Sequence, residues 1–378
     1  MRRYWKICIV PAVFLLVLAM LNRNPGWDAP EGLSAARQRS IQRVIAQAAE
    51  VLDEAPGADT DAREELLIAA GYPTLDTDAV YPEYLANPDD LTDFWEGRTD
   101  SFGMFRLLED GEARYVCFLR EKEGSLFFTA HLARDELGDL IVREAAIQPV
   151  YEMELADWGI FYYRLYRAGD PHYIDYAQIR LQPPNREAYD LSRKYILPVG
   201  YQMVNLFLCD WQEGSWGALS FHDLLEALYQ RETGEELEWE GFPNKGSPAR
   251  RRIPGALFEE AILPYFQISR EEFRDLCLYD PEEDTYPWRP IHGDDLTGWK
   301  YPMCEPEVVS WQENSDGTLT LEVQVYSPEL KTDRLFCHVL TVRPLQGDAF
   351  QYASNRVTYV SERGLPPAMA RFALDGTE

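Results

Sequence analysis

Residues 279–295, YDPEEDTYPWRPIHGDD, concentrate the side chains that metal binding and acid–base catalysis use. A calcium loop starting at Asp280 would have oxygen ligands at its first, third and fifth positions. Such a loop also needs glycine at the sixth position and glutamate at the twelfth, where this sequence has Thr285 and Ile291. The calcium-loop pattern therefore fails at its two most demanding positions.

The end of this stretch offers one imidazole and two carboxylates, so His292, Asp294 and Asp295 are the candidate metal ligands. The competing interpretation is a loop, because Asp280-Pro281 is typical of a turn and the residue before each later proline avoids the helical conformation. We predict the loop and no metal site. Trp288 and the tyrosines are then expected to pin it to the core.

The sequence selects no catalytic or cofactor-binding residue. It contains no G-x-S-x-G, no phosphate loop and no G-x-G-x-x-G. His222 and Glu226 are spaced i and i+4 on a predicted helix that begins after Ser220 and ends at Gly234, but the second histidine of a zinc helix is missing. We interpret them as a solvent-facing pair. Because no two carboxylates stand out as a glycosidase pair, enzymatic activity stays open and the prediction leans against it.

Charge excludes one class of partner. The chain has 378 residues, with 64 acidic against 36 basic side chains and a formal net charge of −28. Such a chain repels the phosphates of nucleic acids, so we predict no nucleic-acid partner. The hydrophobic fraction of 46% supplies enough apolar material for packed cores and argues against wholesale disorder.

The N-terminus predicts a location. The basic segment MRRYWK is followed by fifteen uncharged apolar residues, 7–21, and then by a polar, turn-rich segment. This pattern is typical of an export signal whose basic end stays in the cytoplasm. Leu21 stands where signal peptidase would need a small residue, so we predict an uncleaved signal-anchor in residues 1–24 that contacts the membrane through 4–22, with a cleaved signal peptide as the alternative. The bulk of the chain is then extracytoplasmic, or secreted after cleavage.

The cysteines predict no metal site, since their spacings fit no zinc motif. Five of them follow the apolar segment: Cys117, Cys209, Cys277, Cys304 and Cys337. Their apolar neighbours favour buried free thiols. A Cys304–Cys337 or a Cys277–Cys304 bridge is the alternative.

Hydrophobic periodicity predicts an α+β fold, with an N-terminal membrane helix, a helical stalk, and two antiparallel-sheet modules joined by a helical middle segment. We expect the stalk in residues 25–58, the first module in 59–215 and the helical segment in 216–300. The C-terminal module, 301–378, should pack on helices in 253–278. Alternating runs from Phe102 onward and from Glu307 onward predict the two meanders.

Three further patterns predict individual elements. Apolar residues from Ile41 to Leu52 recur at helical spacing. Ser269 and Glu272 form a capping box at the start of another helix. The apolar segment Tyr195–Trp211 predicts a buried strand.

Several segments carry a family resemblance: GYPTLDTDAVYPEYLANPDDLTDFW, YIDYAQIRLQP, KYILPVGYQMVNLFLCDW, IPGALFEEAILPYFQISREEFRDLCLYDPEEDTYPW and NRVTYVSERGLPPAMAR. Together they resemble a family of uncharacterised extracytoplasmic proteins of Gram-positive anaerobes over residues 60–372. That family is a domain of unknown function, so the resemblance implies no catalytic residues. The fourth of these segments, which begins with IPGALFEE, is also similar, over about forty residues, to a secreted inhibitor of cell-wall endopeptidases.

These observations lead to one expected function and two rivals. We expect a non-catalytic binding or structural module of the cell envelope, with a cell-envelope protein as its partner and no cofactor. The rivals are an inhibitor of a cell-wall hydrolase and an envelope hydrolase that uses paired carboxylates. The hydrolase requires a cleft with convergent acids, and the inhibitor requires an exposed apolar patch.

Overall fold

The protein is described by a computed structural model that covers residues 33–55, 57–76, 82–108, 112–122, 124–136, 140–167, 170–243, 251–289 and 303–368. Within these ranges the chain forms seven α-helices and three sheets, which confirms the mixed α+β class. The chain divides into two compact units. The first holds the residues up to 155 and 159–183, and the second holds 156–158 and everything from 184 onward. The sequence placed the corresponding boundary at residue 215.

The first unit is a closed barrel of eight strands in the order β1-β2-β8-β7-β6-β5-β4-β3. The strands are β1 Thr74–Asp76, β2 Tyr84–Ala86, β3 Ser101–Leu107, β4 Ala113–Glu121, β5 Gly124–Arg134, β6 Leu140–Leu155, β7 Ile160–Arg167 and β8 Asp170–Arg180. From β3 to β8 every neighbouring pair is antiparallel, which confirms the predicted first meander. The short hairpin of β1 and β2 closes the sheet by pairing in parallel with β3 and β8.

The helices of the first unit are α1 Ala35–Leu52, α2 Thr60–Ala69 and α3 Asp89–Trp95. Helices α1 and α2 pack on the outer face of the sheet, whereas α3 contributes Leu91 and Phe94 to the apolar cluster inside the barrel. Helix α1 begins where the Ser34 hydroxyl accepts the Arg37 N–H at 3.3 Å, and it buries Ile41, Ile45, Ala48 and Leu52. These side chains share one apolar cluster with residues of β3, β4, β5 and β6. The helix that we predicted as a stalk therefore packs on the sheet, because its apolar face gains more from that burial than from exposure to water.

The interior of the barrel is filled with aromatic rings. The Phe118 ring lies 5.4 Å from Phe161 and 5.1 Å from Tyr163 across the barrel, and Phe127 lies 5.6 Å from Tyr163. Side chains alternate in direction along β4: Val116 and Phe118 join the cluster inside the barrel, whereas Tyr115, Cys117 and Leu119 join the cluster that contains α1. These rings therefore serve as core packing.

The second unit contains a five-stranded antiparallel sheet in the order β12-β13-β14-β15-β9 and a two-stranded sheet, β10-β11. Its strands are β9 Trp211–Gln212, β10 Arg251–Pro254, β11 Thr285–Trp288, β12 Glu305–Glu313, β13 Leu319–Ser327, β14 Thr332–Pro344 and β15 Phe350–Val360. Its helices are α4 Arg186–Tyr195, α5 Phe221–Thr233, α6 Gly255–Ile262, a 3₁₀ turn at Leu263–Tyr265, and α7 Arg270–Leu276. Ser269 caps α7 as the sequence predicts, since its hydroxyl accepts the Glu272 N–H at 3.2 Å, which is one of the two bonds of a capping box.

One predicted strand is absent from the second unit. Of Tyr195–Trp211, only Trp211 joins a strand, although most of the segment is buried. Gly200 and Met203 have positive φ values of 66° and 59°, which a strand does not accommodate. The Trp211 indole N–H donates to the Leu206 carbonyl oxygen at 2.7 Å, and Asn355 donates to the Cys209 carbonyl oxygen at 2.9 Å. Side chains thus satisfy backbone groups that a strand would have paired in a sheet.

The interpretation of His222 as solvent-facing is wrong. Its side chain is buried in the first turn of α5, and its ring lies 5.3 Å from Phe258 on α6. The Nε2 atom is 3.2 Å from the Cys277 carbonyl oxygen. The imidazole faces the packed interface between α5, α6 and α7, and the first turn of α5 is buried on every side, since Phe221, Leu224 and Leu225 are buried too.

Candidate functional site

Residues 279–295, considered above for metal binding and acid–base catalysis, begin with a turn. The Asp280 carboxylate accepts the N–H groups of Glu282 at 3.1 Å and Glu283 at 3.3 Å, and it receives the Arg252 guanidinium at 3.0 Å. Trp288 and Tyr286 are fully buried. The predicted turn and the predicted anchoring role of the aromatic residues are confirmed. The metal-ligand candidates His292, Asp294 and Asp295 lie outside the described residues.

The cysteines of the described ranges are all free thiols, so neither alternative disulfide forms. Burial raises the pKa of Cys117 to about 12, that of Cys304 to about 12 and that of Cys209 to about 11. Burial raises the pKa of Cys277 further still. Burial therefore favours the protonated thiols over the thiolate that a nucleophile needs. Across the described ranges no group of three or more His, Cys, Asp or Glu side chains is arranged to hold a metal ion.

A cavity of about 290 Å³ lies in the first unit between α1 and the sheet. Helix α1 contributes Arg37, Ser40, Ile41 and Val44, which share one helix face by their i, i+3, i+4 and i+7 spacing. The remaining lining comes from four other segments: Gly71, Tyr72, Pro73, Asp90, Ser101, Phe102, Gly103, Phe105, Tyr115, Cys117 and Leu119. The cavity therefore combines apolar walls with a guanidinium, a carboxylate, two phenols and a thiol.

The floor of the cavity depends on a close approach between Tyr115 and Gly103. These residues lie on neighbouring strands, with Gly103 opposite Cys117 and Tyr115 opposite Phe105. A Cβ atom added at Gly103 would lie 2.0 Å from the Tyr115 hydroxyl oxygen and 2.6 Å from Cζ. Tyr115 is only 3% exposed, so its ring is closely packed by the surrounding residues. Glycine at position 103 lets the phenol lie flat on the sheet and leaves the cavity open.

We expect Gly103→Ala to lower the free energy of unfolding of the first unit by about 2 kcal/mol, because the added methyl group overpacks against the Tyr115 ring. Urea denaturation of the purified chain measures the change. Gly57→Ala is the matched control, since nothing lies within 4 Å of a Cβ at Gly57. The loss should shrink when Tyr115→Leu is combined with Gly103→Ala. Equal losses in both backgrounds would contradict the assigned contact.

The guanidinium of Arg37 is already fully engaged by acidic partners. It makes a bidentate pair with Asp100, with both N–O distances at 2.8 Å, and it donates to the Arg120 carbonyl oxygen at 3.2 Å. Glu121 lies 3.5 Å from Nε. The hydrogen bond to Arg37 lowers the pKa of the Asp100 carboxyl, and the same bond raises the pKa of Arg37. The cation is therefore neutralised within the protein and is poorly placed to bind an anion.

Asp90 supplies the carboxylate of the cavity. It is exposed in the first turn of α3, and none of the described residues donates a hydrogen bond to it. Partial burial raises the pKa of this carboxyl, and the neighbouring carboxylates of Asp93 and Asp89 raise it further. Burial also raises the pKa of Tyr115 well above its ordinary value. Burial thus favours the neutral forms of the Tyr115 phenol and the Cys117 thiol. The arrangement therefore suits reversible binding better than nucleophilic attack.

The comparison with protein families covers nearly all of the described chain. A family model, described as a family of unknown function, matches residues 36–371. The chain belongs to this family, DUF6070. No curated protein and no solved structure matches the chain. The matched range includes every residue that lines the cavity, from Arg37 to Leu119, so the cavity lies inside the DUF6070 domain.

Sequence reasoning missed this cavity. Arg37, Tyr72, Asp90 and Tyr115 come from separate segments, and none of them belongs to a motif with a fixed spacing. The only signal was the Gly103 position within an otherwise bulky strand, which indicates a close approach of another group.

Proposed function

We propose that this member of DUF6070 is a membrane-anchored, extracytoplasmic module of the cell envelope that binds a ligand without transforming it. The proposed binding role is supported by the cavity under α1. Burial favours the neutral forms of its Tyr115 phenol and Cys117 thiol, and its Arg37 guanidinium is paired with Asp100. The location is supported by the basic and apolar pattern of residues 1–24 and by the resemblance to extracytoplasmic proteins of Gram-positive anaerobes.

A carboxylate-dependent hydrolase has weaker support. Glycoside hydrolysis uses two carboxylates on opposite sides of the scissile bond, roughly 5 to 10 Å apart. Among the described residues that line the cavity, Asp90 is the sole carboxylate, and the Asp100 carboxylate is paired with Arg37. A single acid without a partner acid or an activated nucleophile favours binding over hydrolysis.

The predicted signal-anchor falls outside the described residues. Among the helices that are described, none is both long and apolar enough to cross a membrane. The proposed location therefore rests on the sequence of residues 1–24, and it is open to a direct topological test.

We expect a reporter enzyme that works only outside the cytoplasm to be active when it is fused after Glu378. The full-length fusion should also stay in the membrane fraction after an alkaline wash, because an uncleaved apolar segment holds it there. The matched control lacks residues 1–24 and should remain inactive in the cytoplasm. Cytoplasmic location of the full-length fusion would overturn the proposal.

A further inference from the structure

We draw no further inference here: the strongest candidate, the half-buried Cys337 thiol on β14 of the C-terminal sheet, which accepts a hydrogen bond from the Arg334 guanidinium at 3.5 Å and lies opposite Tyr359 on β15, is a lone cysteine, and nothing in the described residues shows what would bind to it or react with it.

Discussion

Replacement of Glu259 by alanine is expected to lower the free energy of unfolding of the second unit by about 3 kcal/mol. The carboxylate is 4% exposed on α6, and it accepts the Tyr286 hydroxyl at 2.8 Å, the Arg274 Nε at 2.7 Å and the Arg270 Nε at 3.0 Å. Tyr286 is fully buried, so its hydroxyl would lose its acceptor where water cannot replace it. Burial and the hydrogen bond to Glu259 both raise the pKa of Tyr286, consistent with this environment.

Glu260→Ala is the control for this substitution. Glu260 is the next residue on the same helix, is exposed, and carries the same charge. Its replacement should change the urea midpoint of unfolding very little, since surface substitutions usually change stability by less than about 0.5 kcal/mol. Combining Glu259→Ala with Tyr286→Phe should recover part of the loss, because the orphaned hydroxyl is removed. A loss at Glu259 no larger than that at Glu260 would contradict the buried network.

Acidification is expected to destabilise the second unit through His338. This side chain is completely buried; its Nδ1 lies 2.7 Å from the Asn355 side-chain oxygen and its Nε2 lies 3.0 Å from the Tyr201 hydroxyl. The geometry fits a neutral ring that donates from Nδ1 and accepts at Nε2. Burial lowers the pKa of His338 from 6.5 to about 4, although the bond to Asn355 opposes the change.

Proton linkage gives the sign and the size of this change in stability with pH. Between pH 6.5 and about 4 the unfolded chain binds a proton at this histidine and the folded chain does not, so the stability present above pH 6.5 falls as the pH falls. Each tenfold difference in proton affinity is worth about 1.4 kcal/mol, which gives a loss of about 3 kcal/mol in total. Urea denaturation at a series of pH values, followed by tryptophan fluorescence, measures this dependence.

Two variants isolate the histidine from other titrating groups. His338→Gln should be less stable than the parent at neutral pH, and the difference between the two should narrow as the pH falls towards 4. Tyr201→Phe should lose about 1 kcal/mol and keep the pH dependence, because the ring stays buried. An unchanged difference between parent and His338→Gln across this pH range would show that His338 does not carry the effect.

Local sequence signals predicted a large part of the elements. The apolar spacing from Ile41 to Leu52 predicted α1, and the Ser269 capping box predicted α7, since both signals act within one or two turns. The alternating runs predicted both meanders, because one buried face is enough to impose the period of two. Local chemistry decides these features, so one sequence contains enough to identify them.

Features that depend on distant segments were not predictable in this way. The apolar segment Tyr195–Trp211 signalled burial correctly, but burial does not fix backbone conformation. Its hydrogen bonds depend on Asn355, far along the chain. His222 looked exposed because the partner surface of α6 cannot be read from α5 alone. The cavity required five segments to converge, and no spacing rule links Arg37 to Asp90 or Tyr115.

The closure of the first unit has a consequence for self-association. Six long strands would leave two outer strands, β3 and β8, with unpaired backbone groups that another chain could extend. Within the described part of the chain, the three-residue strands β1 and β2 cover these edges, through the pairs Thr74–Phe105, Leu75–Arg106 and Tyr84–Arg180. The pairing of β1 and β2 with these edges therefore keeps them from pairing with another chain. We expect a substitution that displaces β1 and β2 to open the barrel and to leave β3 and β8 available for pairing with strands of other copies.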